Sequence, residues 1–276
     1  MTPRSLAKRI VLGLLLAAVL IYAAVVAVMY ASQTEMLFPT DAVGKAGPLP
    51  PGTEQLELPT ADGNVLRGIH ISPTSKMTAG RLLVLGFAGN GMNAANAAEL
   101  LHEIYPDADV VAFYYRGYAP STGTPSGKSL TDDAPLIYDN AVARIRPAQI
   151  VAVGLSVGSG VAASLAGKRR LDGLILVTPF DSLRSVAEAW YPWLPVRSLF
   201  KHQIDAVAGV QHSDSKVAII SAQKDELVPT ARTIALKKYV RNLLFDREIA
   251  GAGHNDIYAR PEFEGAMIEA MAAMRR

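Results

Sequence analysis

Apolar and polar positions divide the chain into three regimes. Ile10 to Ala31 is an unbroken apolar run with one glycine and no charge. As a helix it would extend roughly 33 Å, enough for a hydrocarbon core of about 30 Å. Asp41 to Gly52 is rich in glycine and proline, the pattern of a tether with little to pack. From Glu54 onward, short apolar runs alternate with amphipathic stretches. Glu54–Leu58 and Val65–Ile71 read as two strands around the turn signal Ala61-Asp62-Gly63-Asn64. Arg81–Phe87 is a continuous apolar run after its first residue, as expected of a strand buried on both faces, Leu171–Thr178 is another of this type, and Ile150–Leu155 and Val217–Ala222 read as further strands. Asp109–Tyr115 and Leu243–Ile249 read as two more strands. Helices are predicted over Asn93–Ile104, Ser129–Arg146, Val157–Lys168, Thr230–Val240 and Pro261–Met274. Asp132 and Asp133 fall in the first turn of the second of these, where the helix dipole favours acids. The alternation predicts an α/β domain, a mostly parallel sheet with helices on both faces, preceded by a hairpin. Leu183 to Val207 interrupts it with the aromatic-proline cluster Trp190-Tyr191-Pro192-Trp193-Leu194-Pro195.

Charge orients the apolar run. Arg4, Lys8 and Arg9 precede it; Glu35 and Asp41 follow, and the next base is Lys45. The positive-inside rule then gives residues 1–9 as a basic cytoplasmic tip and 10–31 as a single-pass anchor in an inner or plasma membrane. Residues 32–52 become the tether, and 53–276 an extracytoplasmic domain. The competing reading is a cleaved signal peptide, whose apolar core would be about 7–15 residues and would end on small residues. This run is longer and ends Met29-Tyr30-Ala31. The 276 residues carry a formal net charge of +2 and no cysteine, which excludes a disulfide scaffold, a thiolate zinc site and a cysteine nucleophile. All 25 acidic residues and 24 of the 27 basic ones lie beyond the run, so the domain is near neutral and has no electrostatic case for nucleic acid.

The candidate chemistry centres on Gly154-Leu155-Ser156-Val157-Gly158, a G-x-S-x-G pattern at the junction of a predicted strand and a predicted helix. Such a turn exposes the serine hydroxyl at the carboxyl edge of the sheet. The glycines leave room where the helix folds back on its neighbours, and the Val157 amide at the helix start faces any oxyanion beside Ser156. A serine hydroxyl needs a base. His254, in Gly251-Ala252-Gly253-His254-Asn255-Asp256 after the last strand, fits best. His70, His102, His202 and His212 lie in an early strand, an early helix and the flanks of the insertion, where structural roles are commoner. Asp225 follows the strand Val217–Ala222 and is the first candidate to orient the base; Asp181 and Glu226 are rivals. The second oxyanion donor is expected in Gly86-Phe87-Ala88-Gly89-Asn90-Gly91, with the Phe87 amide first and Ala88 second.

These residues, with Leu37-Phe38-Pro39, Tyr115-Arg116-Gly117-Tyr118 and Thr178-Pro179-Phe180-Asp181, resemble the α/β-hydrolase-domain serine hydrolases. The similarity is greatest to the membrane-anchored subgroup that includes lipid esterases and protein depalmitoylases, and it extends from Met36 onward. The chain order Ser156, Asp225, His254 agrees with that fold. One departure stands out: where the family has His-Gly-Asn-Ala-Gly-Asn, this chain has Leu85-Gly86-Phe87-Ala88-Gly89-Asn90 and lacks the side chains that help fix the loop. The resemblance implies an α/β-hydrolase fold with a short cap at 183–207. It implies hydrolysis of a carboxylic ester or thioester through an acyl-enzyme on Ser156, His254 and Asp225, without metal or organic cofactor. Trp190, Tyr191, Trp193 and Leu194 are candidates for an acyl pocket, and with an anchor upstream the expected substrate is lipid-like. Three alternatives share features of the sequence. A peptidase or amidase would use the same triad. A non-catalytic binding protein would account for the altered loop. An NAD(P) enzyme is suggested by Gly154, Gly158 and Gly160, but that glycine loop should follow the first strand, and no tyrosine has a lysine four residues later.

Overall fold

The computed structural model describes residues 3–75 and 80–275. The strands are β1 (Glu54–Pro59), β2 (Val65–Ile71), β3 (Leu82–Phe87), β4 (Asp109–Phe113), β5 (Gln149–Leu155), β6 (Gly173–Val177), β7 (Lys216–Ala222) and β8 (Leu243–Ile249). The helices are α1 (Pro3–Ala31), α2 (Gln33–Leu37), α3 (Ala94–Ile104), α4 (Gly127–Ile145), α5 (Val157–Ala166), α6 (Leu183–Trp190), α7 (Val196–Leu199), α8 (Ala206–Gln211), α9 (Thr230–Lys237) and α10 (Pro261–Arg275). The strands form one sheet in the order β1-β2-β4-β3-β5-β6-β7-β8. β1 and β2 form the antiparallel hairpin, β2 runs antiparallel to β4, and the remaining neighbours are parallel.

The continuous apolar runs are explained by two cores, one on each face. In β3, Leu83, Leu85 and Phe87 face the core beneath α4, α5 and α8, while Leu82 and Val84 face the core beneath α3 and α10. β5 and β6 divide in the same way, Ala152, Leu174 and Leu176 to one side and Val151, Val153, Ile175 and Val177 to the other. The edge strand β8 instead exposes Asp246, Arg247 and Glu248, charges that discourage pairing with another chain. β4 and β5 lie on opposite sides of β3, so the connections diverge at the carboxyl ends of β3 and β5. That crevice is where open α/β sheets bind ligands.

Two expectations are corrected. α4 begins at Gly127, capped by a reciprocal Ser126–Ser129 capping box, so Asp132 and Asp133 lie beyond its first turn. Asp133 is held instead by a bidentate pair from Arg116, 2.8 Å on each side. The stretch before the domain is also not a free tether. Phe38 is buried in the core with its ring edge-on to His202, and the Gly44 carbonyl accepts a 2.9 Å hydrogen bond from Asn93. α1 is the one helix among the described residues long and apolar enough to cross a membrane. Its apolar side chains are exposed along most of its length.

Candidate active site

Ser156 occupies the turn between β5 and α5 with φ 53° and ψ −119°, a left-handed position that costs a non-glycine residue about 1–3 kcal/mol. The neighbouring glycines make it attainable. A Cβ on Gly154 would lie 2.4 Å from the Gly158 carbonyl oxygen, and one on Gly158 would lie 2.1 Å from the Phe87 carbonyl oxygen. The turn is therefore pressed between its own helix and the end of β3. The same face of α5 stays small further along, where a Cβ on Gly160 would strike Ile204 at 2.5 Å.

The structure brings Ser156, His254 and Asp225 into one hydrogen-bonded chain. Ser156 Oγ is 2.7 Å from His254 Nε2, and His254 Nδ1 is 2.9 and 2.8 Å from the two Asp225 oxygens. An ionised carboxylate only accepts, so the Nδ1–H donates to Asp225 and Nε2 is left to accept from the serine hydroxyl. The His254 and Asp225 side chains are both buried. Asp225 Oδ1 also accepts the amides of Leu227 (3.0 Å) and Val228 (2.6 Å), which fixes the carboxylate at the end of β7. The two rivals lie elsewhere in the network. Asp181 pairs with Arg232 at 3.2 Å and caps its own Ser182 amide. Glu226 braces the histidine from behind, its Oε2 accepting the His254 backbone amide at 3.0 Å. Of the other histidines, His70 is tied to Asp109 at 2.8 Å, His212 to the Ala208 carbonyl, and His202 to Thr34.

The loop after β3 runs alongside the serine. A Cβ on Gly89 would lie 3.6 Å from Ser156 Cβ. Phe87 ends β3 in register with Gly154, and the Val157 amide belongs to the first turn of α5, whose N–H groups lack intrahelical acceptors. In place of the absent histidine and asparagine, two tyrosines hold this loop. Tyr115 donates to the Ala88 carbonyl at 2.9 Å and Tyr118 to Asn90 Oδ1 at 2.8 Å. Burial pushes both phenols above their ordinary range, so both remain protonated donors. The Tyr-Arg-Gly-Tyr stretch was legible as a motif, but its bracing role was not.

The cap is clasped at its root by the Ser182–Asp205 bridge and by the Leu183 amide donating to the Ile204 carbonyl. Its aromatic residues divide. Tyr191 and Leu194 line an apolar cleft against α1 and α2, whereas Trp190 and Trp193 are about half exposed. Trp190 donates its indole N–H to the Leu227 carbonyl at 2.9 Å, joining the cap to the loop that carries Asp225.

Residues 82–212 match the family model of the alpha/beta hydrolase fold. An uncharacterized protein of Mycobacterium tuberculosis is 31% identical over 254 residues, 86% of this chain and 85% of the relative. The lysophosphatidylserine lipase ABHD12 of Danio rerio is 34% identical over 142 residues, 44% of this chain and 36% of the lipase. Among solved structures, an esterase of Pyrococcus furiosus superposes with a TM-score of 0.66 at 17% identity, over 84% of this chain and 96% of the esterase. An alpha-beta hydrolase of Vibrio vulnificus gives 0.68 at 19% identity, over 88% and 92%. Eight strands in this order, a serine on a left-handed turn after the fifth and an extended match to these relatives agree: the chain belongs to the α/β-hydrolase family.

Proposed function

We propose that this protein is a membrane-anchored serine hydrolase that cleaves carboxylic esters or thioesters of lipid or acyl substrates. The observation that carries the reading is the continuous Asp225–His254–Ser156 hydrogen-bonded chain ending on a serine held in a left-handed turn. Ser156 Oγ attacks the acyl carbon while His254 Nε2 accepts its proton. Asp225 keeps the proton of neutral His254 on Nδ1 and stabilises the imidazolium. The amides of Val157 and Phe87 take the negative oxygen of the tetrahedral intermediate. Collapse expels the alcohol or thiol, which receives the proton from His254. Water, deprotonated by the same imidazole, then attacks the acyl-enzyme and releases the acid and free Ser156.

The lipid part of the reading is supported by three observations. α1 presents a long apolar surface. The cap exposes Trp190 and Trp193, and tryptophan is enriched at membrane interfaces. The partial relative ABHD12 is a lysophosphatidylserine lipase. Residues 10–31 would form the anchor, with the N-terminus cytoplasmic and the hydrolase domain on the far side.

The test uses the full chain in detergent, a fluorophosphonate probe and a panel of aryl esters, acyl thioesters, lysophospholipids and aminoacyl amides. Wild type should label and turn over esters or thioesters, and Ser156→Ala should lose labelling and at least about 10³-fold in kcat while its melting temperature is retained. A folded wild type that does not label would support the binding-protein alternative. Preference for amides would reassign the bond cleaved.

A further inference from the structure

The cleft between the apolar helix and the cap is not part of the hydrogen-bonded serine site: Ser156, Asp225 and His254 are not among its lining residues. One wall carries Val26, Met29 and Met36, and the other Tyr191, Leu194 and Leu199. The cleft is open along one side and has a volume of about 140 Å³. Polar pins tie the two walls together on both sides of it along the chain. Tyr22 Oη donates to the Trp193 carbonyl at 2.9 Å. Further on, the Gln33 side chain donates to the Leu199 carbonyl and accepts the Lys201 amide, each at 3.0 Å. Tyr22, Val26, Met29 and Gln33 follow one another at helical spacing, so they present a single face to the cap.

Depth identifies the occupant. Tyr22 lies nine residues before Ala31, ~14 Å along the helix axis. The cap therefore reaches down the apolar run as far as Tyr22, and the cleft, lined from Val26 to Leu37, opens where the membrane reading puts the boundary between acyl chains and headgroups. An apolar cavity has no partners for water and stays dry or takes an apolar guest. Towards the end of the run the Lys201 ammonium sits 3.7 Å from the centre of the Tyr30 ring, and Tyr30 also lines the cleft. A cation there complements a phosphate headgroup.

We propose that this cleft holds one acyl chain of a bilayer phospholipid as a resident lipid, separate from the substrate at Ser156. The inference rests on the membrane reading given above, and its test separates the two. The full-length protein is reconstituted in phosphatidylcholine vesicles that contain a phospholipid with a photoreactive diazirine on its acyl chain. After irradiation, adducts are mapped by peptide mass spectrometry. Adducts should concentrate on residues 26–37 and 191–200 over residues 10–21, by about tenfold or more. Ala187→Trp, which fills the cleft, should abolish that enrichment while fluorophosphonate labelling of Ser156 is retained. Leu199→Trp serves the same purpose if the first variant does not fold. Adducts spread evenly along 10–30, or a pattern unchanged in the filled variants, would overturn the proposal while leaving the membrane reading intact. Failure of the protein to float with the vesicles would overturn both.

Discussion

The serine turn and the joint between the cap and α1 sit in one molecule but are held by opposite means. At the turn, backbone presses on backbone: Gly154 and Gly158 have no room for a methyl group, and each polar group of the hydrogen-bonded chain has a fixed partner. At the joint, a few side-chain pins surround an apolar cleft, and two tryptophans remain half exposed. The first arrangement leaves the serine turn little room to move. The second leaves apolar surface exposed. Rigidity is thus concentrated where the proposed proton transfer would need it, and unsatisfied apolar surface where a lipid phase is proposed to lie.

The largest break in this contrast should come from Asp225→Asn. The amide would stabilise the wrong histidine tautomer, and kcat for a soluble aryl ester should fall by ~10³–10⁴-fold with little change in melting temperature. A loss under tenfold would mean that Glu226 or Asp181 substitutes for it. Next in size is Gly158→Ala. Its methyl group meets the Phe87 carbonyl oxygen, a backbone atom that cannot turn aside. Overpacking of this kind costs about 1–3 kcal/mol. At ~2–4 °C per kcal/mol, that predicts a drop of several degrees in a thermal melt.

The smallest effect should come from the joint. Burial, with Lys201 nearby, holds the His202 imidazole below its ordinary value of 6.5. The unfolded chain therefore binds a proton more readily than the folded one, and stability rises with pH through the window below 6.5. As pH falls through that window the His202 contribution is lost. Thr34, which hydrogen-bonds the ring, and Phe38, packed against it, offer no carboxylate to offset the charge. Melting temperatures measured between pH 7.5 and pH 5 should fall less steeply in His202→Gln than in wild type. Parallel slopes would remove His202 from the account.

What the sequence revealed, and what it concealed, follows the range of the forces involved. Strands buried on both faces declared themselves as continuous apolar runs, because each position must satisfy one of two cores. The turn at Ser156 was legible because its glycines sit within two residues of it and respond to the same local crowding. The start of α4 was misplaced because Ser126 and Ser129 cap each other, a weaker sequence signal than an acidic first turn. The bracing of the loop after β3 was hidden for a different reason. Tyr115 and Tyr118 act on residues 27 and 28 positions away, across the sheet edge, and no local pattern encodes that meeting. The joint between the cap and α1 spans more than 160 positions and was likewise out of reach. Its aromatic-proline cluster was visible, but which of its members face inward depended on where α1 lies.

The bridge between Ser182 and Asp205 has an evolutionary corollary. It brings the two ends of the insertion together before the insertion itself begins. Closing a longer or shorter excursion between fixed ends changes the entropy only logarithmically, by about 0.6 kcal/mol per doubling. As far as chain closure is concerned, a change in the length of the cap therefore costs the sheet beneath it little. The exception is Trp190, whose indole bond to the Leu227 carbonyl ties the insertion to the loop that carries Asp225, so an exchange between 183 and 204 keeps that loop in place only if it keeps this contact.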